Sequence, residues 1–123
     1  MAVFMIVEDD AFIREHVVML VDGWGHSAMS AGDVAEAMLQ LETSVHVDVL
    51  ITDLRLKTEL YGGFDLARRA RELRPALLVL YASGSPANAE MSKLFVAGAQ
   101  HIRKPFTEQE LHGAVQRLLG TPQ

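Results

Sequence analysis

The stretch Val47-Asp48-Val49-Leu50-Ile51-Thr52-Asp53 is a largely apolar run that ends in a carboxylate. A second apolar run, Val3-Phe4-Met5-Ile6-Val7, leads directly into the acidic cluster Glu8-Asp9-Asp10. Short apolar runs of this kind are typical of buried strands in a parallel sheet, whose carboxyl ends lie along one edge. The sequence therefore predicts that these carboxylates gather at one edge, where their mutual repulsion calls for a cation.

Segments with the spacing of amphipathic helices separate the apolar runs. The predicted strands cover about residues 3–7, 26–31, 47–53, 77–81 and 100–103. The apolar positions of the five predicted helices are Ile13, Val17, Leu20 and Val21; Ala37, Met38 and Leu41; Leu66, Ala70 and Leu73; Met91, Leu94 and Phe95; and Leu111, Val115, Leu118 and Leu119. This alternation indicates an α/β domain.

Several helix boundaries can be predicted from local sequence. Asp33 with Glu36, and the segment Thr107-Glu108-Gln109-Glu110, have the spacing of capping boxes. The third helix is expected to stop at Arg74-Pro75, because the residue before Pro avoids the helical region. Ser85-Pro86 predicts the start of the fourth helix, which we expect to run up to Gly98.

Right-handed crossovers with one helix after each strand predict a doubly wound, five-stranded parallel sheet with five helices. At 123 residues the chain has the length of one domain, residues 1–123, with a tail from about residue 120. In such folds the functional site lies outside the carboxyl ends of the strands.

The composition excludes several classes of function. The chain has no Cys, no apolar stretch long enough to cross a bilayer and no basic-then-apolar leader, so we expect a cytoplasmic protein without membrane attachment. Its formal net charge is −5, from 11 basic and 16 acidic side chains, which argues against nucleic-acid binding by this chain alone. The arginines of the third helix are interpreted as a solvated face.

Polar residues follow four of the apolar runs, so the topology directs them to one crevice. They are Glu8, Asp9 and Asp10 after the first strand, Asp53 after the third, Ser83 after the fourth and Lys104 after the fifth. Mg²⁺ suits such a site, because it accepts one or two carboxylates and completes its shell with waters and phosphate oxygens. A carboxylate beside the ion can attack phosphorus, while an ammonium and a hydroxyl bind the phosphoryl oxygens.

Each of these residues alone has an ordinary structural interpretation. Asp is common in caps and turns, and Asp10 in particular is placed to cap the first helix. Ser83-Gly84 could be a simple turn. It is the joint placement on four strand ends that favours a phosphoryl site.

The chain resembles a response-regulator receiver domain over essentially its whole length. The matching segments are Val7-Glu8-Asp9-Asp10, Thr52-Asp53-Leu54, Gly63-Phe64-Asp65-Leu66, Ser83-Gly84, Gly98-Ala99 and Lys104-Pro105-Phe106. The resemblance implies a flavodoxin-like sheet of order 2-1-3-4-5. It also implies that a histidine kinase or phosphotransfer protein phosphorylates the domain, which then acts on an unidentified downstream protein or forms a phosphorylation-dependent dimer.

The family's functional residues map onto this sequence by position. Asp53 would be the phosphoacceptor, and Glu8, Asp9, Asp53 and the Arg55 backbone carbonyl would bind Mg²⁺. Ser83 and Lys104 would recognise the phosphoryl group, and the bond before Pro105 would be cis. Self-phosphorylation and autodephosphorylation at Asp53 would be the domain's only reactions, so it would not be an enzyme.

The sequence departs from the family pattern at two places, and two further residues stand at positions that vary within the family. The segment from Leu54 to Gly62 lacks the usual Pro and is about two residues longer. His101 stands where the family commonly has a switching Tyr or Phe, so it is either a switch partner of Ser83 or a half-exposed strand residue. Arg55 and Ser85 stand where side chains tune the lifetime of the phosphoryl group.

Two other functions are compatible with parts of the sequence. The first is an interaction module that keeps the fold but is no longer phosphorylated. The altered segment after Asp53 argues for it, whereas the retained site residues argue more strongly against it; these are Glu8, Asp9, Asp53, Ser83 and Lys104. The second is a phosphohydrolase with an Asp nucleophile, but Asp53-Leu54-Arg55 lacks the second Asp of such enzymes. The sequence leaves open whether the domain stands alone or belongs to a longer regulator or hybrid kinase.

Overall fold

The computed structural model describes residues 1–43, 46–56, 62–84 and 88–120. The strands are β1 (Val3–Val7), β2 (Ser27–Ala31), β3 (Val49–Asp53), β4 (Leu78–Ser83) and β5 (Gln100–Arg103). The helices are α1 (Ala11–Gly23), α2 (Val34–Thr43), α3 (Gly62–Leu73), α4 (Ala89–Ser92) and α5 (Glu108–Leu119). Within these residues, no helix is both long enough and apolar enough to span a bilayer.

The five strands form one parallel sheet of order β2-β1-β3-β4-β5, which confirms the predicted fold. The register pairs Val7 with Thr52 at the ends of β1 and β3, and Ser83 with Arg103 at the ends of β4 and β5. The carboxyl ends of these four strands therefore lie along one edge of the sheet, next to the point where the strand order reverses.

The sheet separates two hydrophobic clusters. Residues such as Met5 and Leu50 face a cluster shared with α2 and α3, whereas their neighbours Phe4 and Ile51 face one shared with α1 and α5. Successive strand side chains point to opposite faces, so strands covered on both sides read as continuous apolar runs. A shift in register would bury the polar residues that bound each apolar run, so these residues fix the position of the strand ends.

Side chains cap the helices largely as predicted. Thr107 and Glu110 form a complete capping box at α5. At α2, Asp33 accepts a hydrogen bond from the Glu36 N–H at 2.8 Å, and the Glu36 carboxylate accepts from the Gly32 N–H at 3.3 Å. The predicted pair Asp33 and Glu36 thus lies at the start of α2.

The fourth helix differs from the prediction. Its predicted start, Ser85-Pro86, lies outside the described residues; the described helix α4 is capped by Asn88 and ends at Ser92, well before Gly98. Leu94, one of the apolar positions of the predicted helix, is 50 % exposed. The chain turns here because the Val96 N–H donates to the Tyr81 hydroxyl at 3.1 Å and aromatic stacking holds the turn against the sheet.

Candidate functional site

Four strand ends supply the residues of the candidate site. Asp53 and Ser83 are the last residues of β3 and β4, and Glu8 and Lys104 directly follow β1 and β5. Backbone hydrogen bonds extend the sheet past both of these strands: the Glu8 N–H donates to the Ala31 carbonyl at 3.1 Å, and the Lys104 N–H to the Ser83 carbonyl at 2.7 Å. The backbone at all four positions is therefore held by the sheet ladder.

Three carboxylates converge at this edge. Glu8, Asp9 and Asp53 each offer one oxygen, and these oxygens lie within 4.8 Å of one another. Glu8 is only 5 % exposed. Like charges this close in a partly buried site favour any group that brings positive charge. Asp10 is not part of this group, because its side chain caps α1 by accepting from the N–H groups of residues 12 and 13.

The Lys104 ammonium joins two of the three acids. Its Nζ donates to Glu8 Oε1 and to Asp53 Oδ2, the latter at 3.0 Å. Burial by itself would lower the pKa of Lys104, but the hydrogen bonds to Glu8 and Asp53 outweigh it and the pKa is raised. The site thus holds a charged lysine with only 19 % of its side chain exposed.

The Lys104 ammonium does not fully compensate the negative charge of the clustered carboxylates. Burial raises the pKa of Glu8, and the Asp53 charge adds to this effect, although hydrogen bonds from Lys104 and from the Asp10 N–H oppose it. The pKa of the carboxyl is raised despite these partners, so its ionised form is under-stabilised. A hard divalent cation, which prefers oxygen ligands, fits such a donor set.

Sequence reasoning missed the contribution of Arg14. Its Nη1 donates to the Glu8 backbone carbonyl at 2.8 Å and therefore ties the first turn of α1 to the end of β1. The sequence shows that Arg14 lies six residues after Glu8 and one helical turn beyond the Asp10 cap, and so that it is near the end of β1. Sequence spacing alone does not show which backbone carbonyl the long arginine side chain reaches.

Gly63 allows α3 to approach the phosphoacceptor candidate closely. A Cβ at this position would lie 2.0 Å from the Asp53 carbonyl oxygen and 2.8 Å from the Leu54 Cα. The Gly63 N–H donates to the Leu54 carbonyl at 2.9 Å, so the helix start and the strand end are in direct backbone contact. Only glycine fits here, and this contact fixes the chain that follows Asp53.

Ser83 lies beside His101 at the ends of β4 and β5. Its Oγ is 2.9 Å from His101 Nε2 and the residue is 6 % exposed. Burial lowers the pKa of His101 below its usual 6.5. The His101 ring also stacks on Phe95, with centroids 5.9 Å apart. The structure thus brings both proposed switch residues together and connects them to the turn after α4.

A cleft of about 650 Å³ opens at this edge of the sheet. Its lining includes Asp9, Asp53, Arg55, Ser83 and Lys104. The Lys104-Pro105 peptide bond is cis. Of the other positions singled out in the sequence, Ser85 and residues 57–61 of the lengthened segment lie outside the described residues.

Comparison with known proteins identifies the class that this fold and site define. The family model described as the response regulator receiver domain matches residues 4–116. The chain therefore belongs to the family of response-regulator receiver domains, which are signalling modules of two-component systems.

Individual relatives agree with this assignment. The transcriptional regulatory protein PhoP of Escherichia coli K12 is 30 % identical over 116 residues, which are 94 % of this chain and 51 % of that protein. The chain thus spans about half the length of the curated relatives it matches, which include the virulence transcriptional regulatory protein PhoP of Salmonella typhimurium at 30 % identity over 94 % of this chain and 50 % of that protein.

Solved structures of receiver proteins share the fold. One from Sinorhizobium medicae superposes with a TM-score of 0.87 at 27 % identity and covers 98 % of this chain and 95 % of its own. One from Pseudomonas putida has a TM-score of 0.79 at 29 % identity, with 94 % and 96 % covered.

Proposed function

We propose that Asp53 accepts a phosphoryl group from the phosphohistidine of a histidine kinase or phosphotransfer protein. The observation that carries this proposal is the convergence of the Glu8, Asp9 and Asp53 carboxylates within 4.8 Å, with the Lys104 ammonium donating to two of them. Membership in the receiver family supports it.

The donor set fits a magnesium ion held by Glu8, Asp9, Asp53 and the Arg55 backbone carbonyl. The buried, under-compensated Glu8 and the clustered carboxylate oxygens are the observations that favour a cation here. When bound, Mg²⁺ supplies positive charge to the phosphoryl oxygens.

The protein's own side chains account for the remaining requirements of the transfer. An Asp53 carboxylate oxygen forms the new bond to phosphorus, while the bond from phosphorus to the donor imidazole nitrogen breaks and that nitrogen keeps the electron pair. A carboxylate nucleophile has no proton to remove, so no general base is required. Lys104 and Ser83 bind phosphoryl oxygens through their N–H and O–H groups.

Phosphorylation then changes the charge of the edge. The phosphoryl group adds about −1.5 to −2 charges near neutral pH. Lys104 leaves its present contacts for the phosphoryl oxygens and Ser83 turns toward them, which biases the surface around α4 and β5 toward one partner-binding form. We propose that this switch works in the cytoplasm on a downstream protein or through a phosphorylation-dependent dimer, and that the domain turns over no separate substrate.

Incubation with Mg²⁺ and a small acyl phosphate, followed by intact mass measurement, tests the proposal. We expect one phosphoryl group per chain in the wild-type protein and in Asp22→Ala, a control on the exposed end of α1. We expect none in Asp53→Ala. An adduct that persists in Asp53→Ala would contradict the assignment of the phosphoacceptor.

A magnesium titration separates this function from that of an unphosphorylated interaction module. The proposed site predicts saturable Mg²⁺ binding that weakens in Asp9→Asn. The absence of both saturable binding and an adduct would favour a module that keeps the fold without the chemistry.

A further inference from the structure

In the hydrogen bond between Ser83 and His101, the protonation of the histidine ring determines which residue is the donor. Ser83 Oγ and His101 Nε2 lie 2.9 Å apart. A serine hydroxyl has a single proton to donate, and an imidazole nitrogen donates when protonated and accepts when it is not. The proton on Nε2 therefore determines whether Ser83 donates to the ring or accepts from it.

A phosphoryl group at Asp53 would leave Ser83 only one of these two roles toward His101. Its oxygens are acceptors under the proposed function, on which this inference rests, so Ser83 must direct its only O–H proton to one of them. Ser83 Oγ can then face His101 only as an acceptor. The hydrogen bond is kept if Nε2 carries a proton and is lost if Nε2 presents a lone pair.

The surroundings of His101 hold its ring in place for this contact. The ring is stacked on Phe95 at an interplanar angle of 19°, and Phe95 is stacked on Tyr81 with centroids 4.5 Å apart. Tyr81 is fully buried and is the residue of β4 that pairs with His101. Stacking favours this plane of the ring, in which Nε2 lies at the edge that faces Ser83.

We propose that His101 is a positioning residue for phosphoryl recognition: its Nε2–H donates to Ser83 Oγ in the phosphorylated protein and so directs the Ser83 proton to a phosphoryl oxygen. A ring that starts with its proton on Nδ1 releases that proton to water and takes one from water at Nε2. A Phe at position 101 would stack on Phe95 equally well but would donate nothing to Ser83.

Nitrogen NMR of the imidazole tests the protonation directly. The full chain, labelled with ¹⁵N, is measured with Mg²⁺ before and after addition of beryllofluoride, a mimic of the phosphoryl group. We expect the Nε2 resonance of His101, assigned by its absence in His101→Gln, to have the shift of a protonated nitrogen in the beryllofluoride form. The shift of an unprotonated Nε2 in that form would overturn the proposal.

Variants separate hydrogen bonding from packing. We expect His101→Phe, which keeps the stack, to weaken beryllofluoride binding about fivefold, the effect of losing one hydrogen bond. His101→Gln restores most of the affinity, because the terminal amide reaches a position close to Nε2 and can donate. In a Ser83→Ala background, replacing His101 by Phe has no further effect.

Two results of this series would contradict the role of His101. If His101→Phe weakens binding equally in the Ser83→Ala background, the residue acts through packing alone. If His101→Gln binds as weakly as His101→Phe, donation is not what matters.

The outcomes also distinguish this inference from the proposed function. A wild-type chain that takes up neither phosphoryl group nor beryllofluoride would overturn the phosphoacceptor assignment, and the role of His101 would fall with it. A wild-type chain that is phosphorylated at Asp53 but has an unprotonated Nε2 would overturn the role of His101 alone.

Discussion

Gly63 leaves no room for a side chain where α3 meets the end of β3. Gly63→Ala brings a Cβ within 2.0 Å of the Asp53 carbonyl oxygen, which belongs to backbone and cannot turn aside. We expect this substitution to lower the free energy of unfolding by about 3 kcal/mol, measured by urea denaturation, since overpacking forces backbone shifts.

A second glycine supplies the control. A Cβ at Gly113, inside α5, would meet only the Arg117 guanidinium at 3.5 Å. Gly113→Ala is expected to raise the free energy of unfolding by about 0.5–1 kcal/mol, because Ala is the better helix former. If the two substitutions changed the free energy of unfolding by similar amounts, the close contact at Gly63 would not be what makes Gly63→Ala destabilising.

His101 gives the molecule a pH-dependent contribution to stability. Burial lowers its pKa in the folded state below 6.5, so between that lowered pKa and 6.5 the unfolded chain binds more protons. The contribution is present above pH 6.5 and is lost as the pH falls through the window. We expect the free energy of unfolding of the wild type to fall relative to that of His101→Phe between pH 7.5 and pH 5.

Urea denaturation of both proteins across this range measures the effect. The other four histidines are common to both chains, so the difference between the curves isolates His101. A difference that stays constant with pH, or grows in favour of the wild type at low pH, would contradict the prediction.

The residues that meet at the candidate site could be proposed from sequence because each lies at or just after the end of a strand. Their mutual contacts could not. The ion pair of Lys104 with Glu8 joins residues 96 positions apart, and the contact of Arg14 with the Glu8 carbonyl depends on the rotamer of a long side chain. Such contacts follow from tertiary packing, which local spacing does not encode.

The helices and strands also differ in how well the sequence predicts them. Strands buried on both faces could be predicted because they have the form of short, continuous apolar runs that alternate with segments of helical spacing. The early end of the fourth helix, at Ser92, could not be predicted, because Met91, Leu94 and Phe95 have helical spacing, whereas Tyr81 of the sheet contacts Phe95 and Val96 in the turn that follows. Tertiary contacts overrode a local periodicity that was too short to prevail.

Helix α5 depends on its capping box. The Thr107 Oγ1 accepts from the Glu110 N–H at 3.1 Å, and the Glu110 carboxylate accepts from the Thr107 N–H at 2.9 Å. We expect Thr107→Ala to lower the free energy of unfolding by about 1 kcal/mol, because an N–H of the first turn loses its partner. Urea denaturation measures this loss.

Thr107→Ser serves as the matched variant. It keeps the capping oxygen and is expected to stay close to the wild type in stability. A serine variant as unstable as the alanine variant would assign the effect to the lost methyl group instead of to the cap.

At the scale of the whole molecule, Lys104 links three strands. Lys104 directly follows β5, and its ammonium contacts Glu8 and Asp53 at the ends of β1 and β3. We expect Lys104→Met to lower the free energy of unfolding by about 3 kcal/mol without divalent ions, because two largely buried carboxylates lose their partner. Mg²⁺ is expected to narrow the gap: in the variant the acids have no ammonium partner and bind the ion more tightly, so its folded state gains more stability from Mg²⁺ than that of the wild type does.

A surface lysine provides the comparison. Lys93 pairs with Glu90 at 3.5 Å, but its side chain is 72 % exposed. Lys93→Met is therefore expected to change stability by no more than about 0.5 kcal/mol. Urea denaturation with a chelator and with Mg²⁺ measures both variants, and a gap for Lys104→Met that magnesium leaves unchanged would argue against a shared site.

The aromatic rings behind the site form a continuous series. Phe64 directly follows the glycine that contacts Asp53. The Phe95 ring is stacked on the Phe64 ring, with centroids 5.8 Å apart, and also contacts the rings of Tyr81 and His101. A change in the size of one ring alters the space left for the next. Over evolutionary time we expect these four positions to covary, so that a lineage exchanging one ring acquires compensating exchanges in its neighbours.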